Sequence, residues 1–382
     1  PGKEVDRLVY GTVIHDPHVP NIAREVGLAT LPATVPAVTV SSACASANQA
    51  IADGVSLIER GYADLVVAGG AESLSHIPIT IKQSFSEKLI VASKAKTLKS
   101  RLVALAKIRP KDFVPNFPQI AEPMTGESMG ESAERMAKEN GISRSDQDAW
   151  ALRSHQLAAA GTKDGRLPSE IAPLYVPRNF ETVIETDNGI RTETNKQELA
   201  KLKPVFDLRY GSVTAGNASP LTDGAAGVIL MSEERVKAHG VKPLGYVRSY
   251  AFAGLDPRGQ LLQGPAYATP IALDRAKVTM ADIGLMEMHE AFAAQVLSNL
   301  QAFSSRSFAE EKLGRSQAVG HPDVDSINVM GGSIALGHPF GATGARLTTT
   351  LLNEMRRRDV ELGVITTCAA GGLGFAMVLE MG

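Results

Sequence analysis

Apolar and polar positions change period repeatedly along the chain, and those changes predict alternating strands and helices. Residues 5–14 (VDRLVYGTVI) form a β-branched run that ends in a turn, the pattern of a short strand. Asn21 stands at the head of a helix running to Thr30, where its side-chain oxygen can accept from a free first-turn amide. Residues 36–40 (PAVTV) read as a buried strand leading into SSACASANQAIADGVSLIER. There Ala50, Gly54, Leu57 and Ile58 recur at helical spacing, so Cys44 falls where a strand hands over to a helix. DLVVAGGAES (64–73) supplies the next strand.

Regularity breaks after Ser75. Residues 82–111 carry nine Lys or Arg and one Glu, with Leu89, Ile90, Leu98, Leu102, Leu105 and Ile108 at roughly helical spacing. Two readings stay open for this stretch: a solvated helix lying over a core, or a basic amphipathic helix resting on an anionic membrane, a partner or ligand phosphates. Helical periodicity returns from Gly130 to Lys163, followed by a Pro- and Gly-punctuated region to Lys203. Residues 224–240 then predict strand and helix, 242–252 a strand, 281–300 strand, turn and helix, and 327–357 a glycine-rich turn entering a helix. ELGVITTCAAGGLGFAMVLEMG closes with two apolar strands around a turn.

The second series repeats the first. Residues 4–13 match 282–291 in hydrophobic pattern, and PAVTVSSACAS, helix, VVAGG parallels INVMGGSIALG, helix, VITTCAAGG. The simplest account is a duplicated α/β fold with a long insertion. The boundaries expected are 1–73 with 211–240 for the first half, 74–210 for a mainly helical inserted domain, and 241–382 for the second half.

Composition narrows the function classes. With 382 residues, 44% of them hydrophobic and 21% charged, the chain has ample material for a core of two or three folded units, and disorder as its dominant state is excluded. Thirty-nine basic residues against 41 acidic ones give a net charge of -2, which offers no electrostatic reason for a nucleic-acid partner. No apolar run approaches the ~18 residues of a membrane-spanning helix. Two cysteines, far apart and without a C-x-x-C, exclude a disulfide framework and a close-spaced structural zinc site, so no metal is expected. Thirty-five glycines and 21 prolines suit a turn-rich α/β protein whose backbones approach closely.

The chemistry-bearing candidates all lie in turns of small residues. Taken singly, a free cysteine is more often a buried small hydrophobe than a nucleophile. Cys44 at a helix N-terminus is placed for the helix dipole to lower its pKa, and Cys368 precedes Ala369, Ala370, Gly371 and Gly372, a run that lets another molecule approach. A thiol nucleophile needs a base, and a tetrahedral intermediate needs donors for its oxyanion. His289 (MHEAF) and His338 (LGHPFGATG) have the right setting, whereas the other six histidines read as structural or exposed. The glycines 331, 332, 337, 341 and 344 fit neither nucleotide-loop pattern.

SSACAS around Cys44, SVTAGNASPLTDGAA (212–226), MHEAFA (288–293), GGSIALGHPFGATGAR (331–346) and CAAGGLG (368–374) together resemble the thiolases over nearly the whole chain. HEAF in place of the commoner NEAF, with the long basic insertion, is most similar to members that form the β subunit of the fatty-acid oxidation complex. The resemblance implies a layered αβαβα core and thiolytic cleavage of 3-ketoacyl-CoA, with coenzyme A as co-substrate and no bound cofactor. It also implies a homodimer, a hydratase/dehydrogenase α subunit as partner, and residence in bacterial cytoplasm or mitochondrial matrix. Cys44 becomes the nucleophile, His338 its base, His289 a first-oxyanion residue and Cys368 the second acid/base. The N–H groups of Cys44 and Ala370 form the second oxyanion site. Arg191, Met129, Ala215, Ser219, Ala291 and Phe292 match CoA-binding positions. Members of the family begin with a strand and helix upstream of the GTV turn, so the first half is expected to lack its opening strand. Condensation of two acetyl-CoA units is the alternative reaction, and an inactive partner subunit the alternative class.

Overall fold

The computed structural model describes residues 2–115, 121–177 and 179–382. The first half runs β1 (Arg7–Gly11), α1 (Ile22–Thr30), β2 (Ala37–Val40), α2 (Ser46–Glu59) and β3 (Leu65–Glu72). An excursion follows: α3 (Gln83–Ser93), α4 (Leu98–Leu105), α5 (Met129–Glu139), α6 (Arg144–Lys163), β4 (Leu174–Tyr175), β5 (Val183–Ile184) and α7 (Lys196–Ala200). The chain returns through β6 (Gly224–Met231) and α8 (Glu233–His239). It then continues as β7 (Gly245–Gly254), α9 (Gly264–Ala276), β8 (Leu285–Met288), α10 (Ala293–Ser304) and α11 (Arg306–Leu313), and ends with α12 (Ser333–Leu336), α13 (Thr343–Arg358), β9 (Leu362–Ala369) and β10 (Leu373–Met381).

Two four-stranded sheets result, ordered β2-β1-β3-β6 and β7-β10-β9-β8. In each sheet the strands joined by helical crossovers run parallel, β1 with β2 and β3, β8 with β9. The strand closing each half, β6 or β10, pairs antiparallel. A parallel bridge from Met286 to Ile327 stands where β2 stands in the first sheet, so the duplicated pattern is a duplicated topology. Helices α2 and α13 pack against each other between the sheets, while α1 covers the outer side of the first sheet and α9, with α10 beside it, that of the second. This is the layered αβαβα arrangement. Ile51 and Ala47 from α2, Val66 from β3, Leu347, Leu351 and Met355 from α13, and Ile365 and Phe375 from the second sheet bury together as one core. Each large side chain buried there contributes roughly 1.5–3 kcal/mol.

Asn21 caps α1 through its side chain, as its position predicts. Elsewhere the sequence pattern misleads. Strand β2 is only half-buried, because it is an edge strand. Helix α9 is masked by Gly264, Pro265 and Pro270; its first proline lies in the opening turn, where no amide is needed, and burial against β7 and β10 outweighs the second. Residues 306–313 also give an unforeseen helix, closed by Gly314 in the left-handed region. The basic stretch forms two short helices rather than one. Its Leu89, Ile90, Leu98, Leu102 and Leu105 face outward, so the reading of a solvated helix over a core is wrong. Buried Asp112 ties that segment together, accepting from Ser84, Lys88 and the Arg109 amide.

The ends of β1 and β3 meet the turn before α13 at backbone distance. A Cβ on Gly70 would collide with the Gly341 carbonyl oxygen and lie 2.7 Å from that of Gly11. Backbone cannot yield as a flexible side chain can, so Gly70→Ala is expected to destabilise the fold by about 1–3 kcal/mol. Denaturant unfolding measures it, and an unchanged midpoint would contradict this packing.

Candidate active site

Cys44 sits in the turn from β2 to α2, and the residue before it, Ala43, is held at φ 48°, a left-handed conformation unusual for alanine. Ser46 fixes the turn: its hydroxyl donates to the Ala43 carbonyl and accepts from the Ser42 amide. The backbone amides of Ala370 and of Cys44 itself favour the ionised form of the Cys44 sulfur. Those two donors lower the thiol pKa, but desolvation outweighs them and pushes it up to about 12, with the Glu72 carboxylate adding to the rise. The lowering expected from the helix N-terminus is thus overturned: the resting group is a thiol. Cys368, at the end of β9, is fully buried and its pKa is raised well above normal by desolvation and by Cys44 beside it.

Both histidines are buried, with ring centroids 4.0 Å apart. A nitrogen of each ring and the Cys44 sulfur lie within 4.8 Å of one another. Burial, reinforced by Arg346, depresses His338 to about 3; burial, then His338 and Arg346, hold His289 well below normal. Both are neutral imidazoles, and their hydrogen bonds assign the tautomers. His338 Nδ1 is 2.7 Å from Thr343 Oγ1, whose own proton goes to the Pro339 carbonyl. Nδ1 therefore donates, leaving an unshared pair on Nε2. His289 Nδ1 is 3.0 Å from Ser333 Oγ, which already accepts from Arg346. Among the described residues Nδ1 is the one acceptor bonded to the Ser333 hydroxyl, so Ser333 donates its proton there and His289 carries N–H at Nε2. Neither Nε2 has a partner among the described residues. The site thus offers one base and one neutral donor side by side.

Two buried carboxylates hold the surrounding loops. Glu72 accepts from Thr12 Oγ1 and from the amides of Val13, Ile14 and Gly341, joining the turn after β1 to the turn that carries His338. Glu290 accepts from Trp150, Ser154, Asn328 and the Ile334 amide, fixing the loop after His289. Arg346 also bonds buried Glu287, whose carboxyl burial lifts to about 8 despite the arginine's opposing pull.

A cavity of about 810 Å³ approaches this centre, lined by Arg191, Ala215, Asp187, Thr222 and Gly337 among others. Thr222 accepts from the His338 amide, so the cavity wall touches the catalytic turn. Of the six CoA-position candidates, Arg191 and Ala215 line this cavity. Met129, Ala291 and Phe292 belong instead to the apolar cluster around Cys368, and Ser219 bridges the two regions by donating twice to the Ala291 carbonyl. Sequence reasoning missed Ser333, Thr343, Arg346, Glu72 and Glu290. Thr343 and Arg346 lie in the glycine-rich segment already singled out, and Glu290 directly follows His289; for Glu72 no local signal exists.

Family models for the thiolase N-terminal and C-terminal domains match residues 1–234 and 241–381. A 3-ketoacyl-CoA thiolase of Yersinia pestis is 52% identical over 378 residues, covering 99% of this chain and 86% of the relative. Among solved structures, a human mitochondrial 3-ketoacyl-CoA thiolase in complex with CoA superposes with TM-score 0.81 at 31% identity, covering all of this chain and 88% of that one. A Bacillus anthracis acetyl-CoA acetyltransferase gives 0.82 at 34%, with the same coverage. Sequence and fold, matched over both halves, place this chain in the thiolase family.

Proposed function

We infer that the chain is an acyltransferase that cleaves 3-ketoacyl-CoA with CoA, yielding acetyl-CoA and a shortened acyl-CoA in fatty-acid β-oxidation. The observation that carries this reading is the convergence of half-buried Cys44 with the free Nε2 pair of His338, the Nε2–H of His289 and Cys368, all three of those residues buried. As substrate enters, His338 Nε2 takes the Cys44 proton while the sulfur attacks the C3 carbonyl. His289 Nε2–H donates to the oxygen as it gains charge. Collapse breaks the C2–C3 bond, and Cys368 protonates the departing acetyl-CoA carbanion. The acyl group stays on Cys44 as a thioester whose oxygen takes over the amides of Cys44 and Ala370. Cys368 then removes the proton of an incoming CoA thiol, which attacks the thioester, and the departing Cys44 sulfur takes back the proton held by His338. Arg191, exposed on the cavity rim, supplies charge for the CoA phosphates.

The basic pair of helices supports docking on an anionic membrane surface that presents long acyl chains, because exposed leucines and lysines share that segment. Two free cysteines and a thiol-dependent site suit a reducing compartment such as bacterial cytoplasm or mitochondrial matrix.

Thiolysis across a 3-ketoacyl-CoA length series is expected to show turnover that rises beyond the four-carbon substrate and falls about 10⁴-fold or more in Cys44→Ala. Activity confined to acetoacetyl-CoA would favour the acetyl-transfer reading, and an active Cys44→Ala would remove the mechanism. Because the resting thiol and imidazole are both neutral, alkylation of Cys44 by iodoacetamide should keep accelerating beyond about pH 9, past the ordinary thiol range. A plateau near neutrality would reveal a resting thiolate instead. Charge reversal at Lys94, Lys96 and Lys99 is expected to abolish cosedimentation with anionic liposomes; unchanged pelleting would reject the membrane reading.

A further inference from the structure

We propose that Cys44, His289 and His338 also form a three-ligand site for a zinc-class divalent cation, whose occupation switches the nucleophile off. The three ligand atoms lie within 4.8 Å of one another and come from three separate turns, after β2, after β8 and before α13. Zinc bonds of about 2.3 Å to sulfur and about 2.0–2.1 Å to nitrogen put tetrahedral ligand atoms roughly 3.3–3.6 Å apart. Closing the trio takes an adjustment of about 1 Å, within reach of side-chain rotation.

Independent observations point to a ligand at this place. His289 Nε2 and His338 Nε2 are both buried without a partner, on rings exposed by 0% and 3%. Their Nδ1 atoms are already engaged by Ser333 and Thr343, the outer hydrogen bond that orients an imidazole toward a metal. One thiolate and two neutral imidazoles are a donor set of borderline softness that suits zinc and cobalt over magnesium or calcium. Nearby buried carboxylates do not compete, since Glu72 and Glu290 are each occupied by four donors. Three protein ligands leave a fourth position open to water.

Binding involves no redox change. The Cys44 S–H proton passes to solvent, and its sulfur pair forms one bond to the cation. His338 donates its free Nε2 pair. The Ser333 hydroxyl rotates its own hydrogen away from His289, the ring proton moves from Nε2 to Nδ1, where Ser333 Oγ now accepts it, and Nε2 forms the third bond. The same pair on His338 that serves as base is then occupied, so metal binding and acyl transfer exclude each other.

Cobalt(II), added to the metal-free full-length chain, reads the site by absorption, independently of any acyl-transfer assay. The expected result is one cobalt per chain, with thiolate charge-transfer and intense tetrahedral d–d bands that zinc displaces. Cys44→Ser should abolish the charge-transfer band, prior alkylation of the folded wild-type chain should do the same, and His289→Asn should weaken cobalt binding about tenfold or more. Exposed His239→Gln, whose side chain pairs with Glu4, should leave the spectrum unchanged. A weak octahedral spectrum, or a tetrahedral one that survives both Cys44→Ser and alkylation, would overturn the proposal. Thiolysis by the metal-free chain is measured separately, so failure of the metal site and failure of the thiolase reading are distinguishable.

Discussion

The Glu72 carboxylate is the contact on which the rest of this structure depends. It belongs to the first half, at the end of β3, yet it gathers the turn after β1 and the Gly341 amide of the second half around one buried charge. A buried carboxylate is tolerable only with its oxygens satisfied, and four donors achieve that. Those donors can converge only because Gly70 and Gly341 have no Cβ to hold the ends of β1 and β3 away from the turn of the second half. Gly341 lies three residues beyond His338 and two before Thr343, the residue that orients its ring. The position of the base relative to Cys44 is thereby set by backbone geometry across the two halves.

Water exclusion then dictates the electrostatics. A thiolate facing an imidazolium would need solvent or a dense shell of donors, and this pocket turns two amides to the sulfur and, among the described residues, an arginine rather than a carboxylate to the rings. Burial therefore raises the thiols and lowers the imidazoles, and the resting site holds no net charge on its reacting groups. Proton transfer must accompany bond formation, so the nucleophile appears only once an electrophile is in place. That arrangement suits an enzyme whose second substrate is itself a thiol, because a standing thiolate would be open to side reactions.

The sequence made the alternation of strands and helices legible, as well as the duplication and the two cysteines and two histidines that meet at the candidate site. These features are local: a β-branched run, a cap such as Asn21, a cysteine before a helix, a histidine in a glycine-rich turn. What it concealed was decided by distant partners. Helix α9 forms in spite of Pro270 because the second sheet buries it. The apolar stripe of 82–111 has helical spacing but no core beneath it, and spacing alone does not say what a stripe faces. The thiol pKa of Cys44 was misread because the helix terminus is visible in the chain whereas desolvation is not. The Glu72–Gly341 bond spans 269 positions, beyond any local pattern.

The registers of the two sheets explain how a duplicated fold became a one-sided catalyst. Gly11 pairs with Gly70 in the first sheet, and Met288 with Thr366 in the second. One residue past the first member of each pair lie Thr12 and His289; two residues past the second member lie Glu72 and Cys368. Thr12 and Glu72 therefore occupy in one half the places that His289 and Cys368 occupy in the other. The first pair is hydrogen-bonded, Thr12 Oγ1 to Glu72 at 3.2 Å, and serves as a tie. In the second half the same strand ends carry His289 and Cys368, with His289 Nε2 unbonded among the described residues. Strand ends of this type present side chains outside the sheet at fixed spacing, whatever the residue. One copy used that geometry to anchor the turn bearing the base, which freed the other to hold unsatisfied groups where the substrate enters.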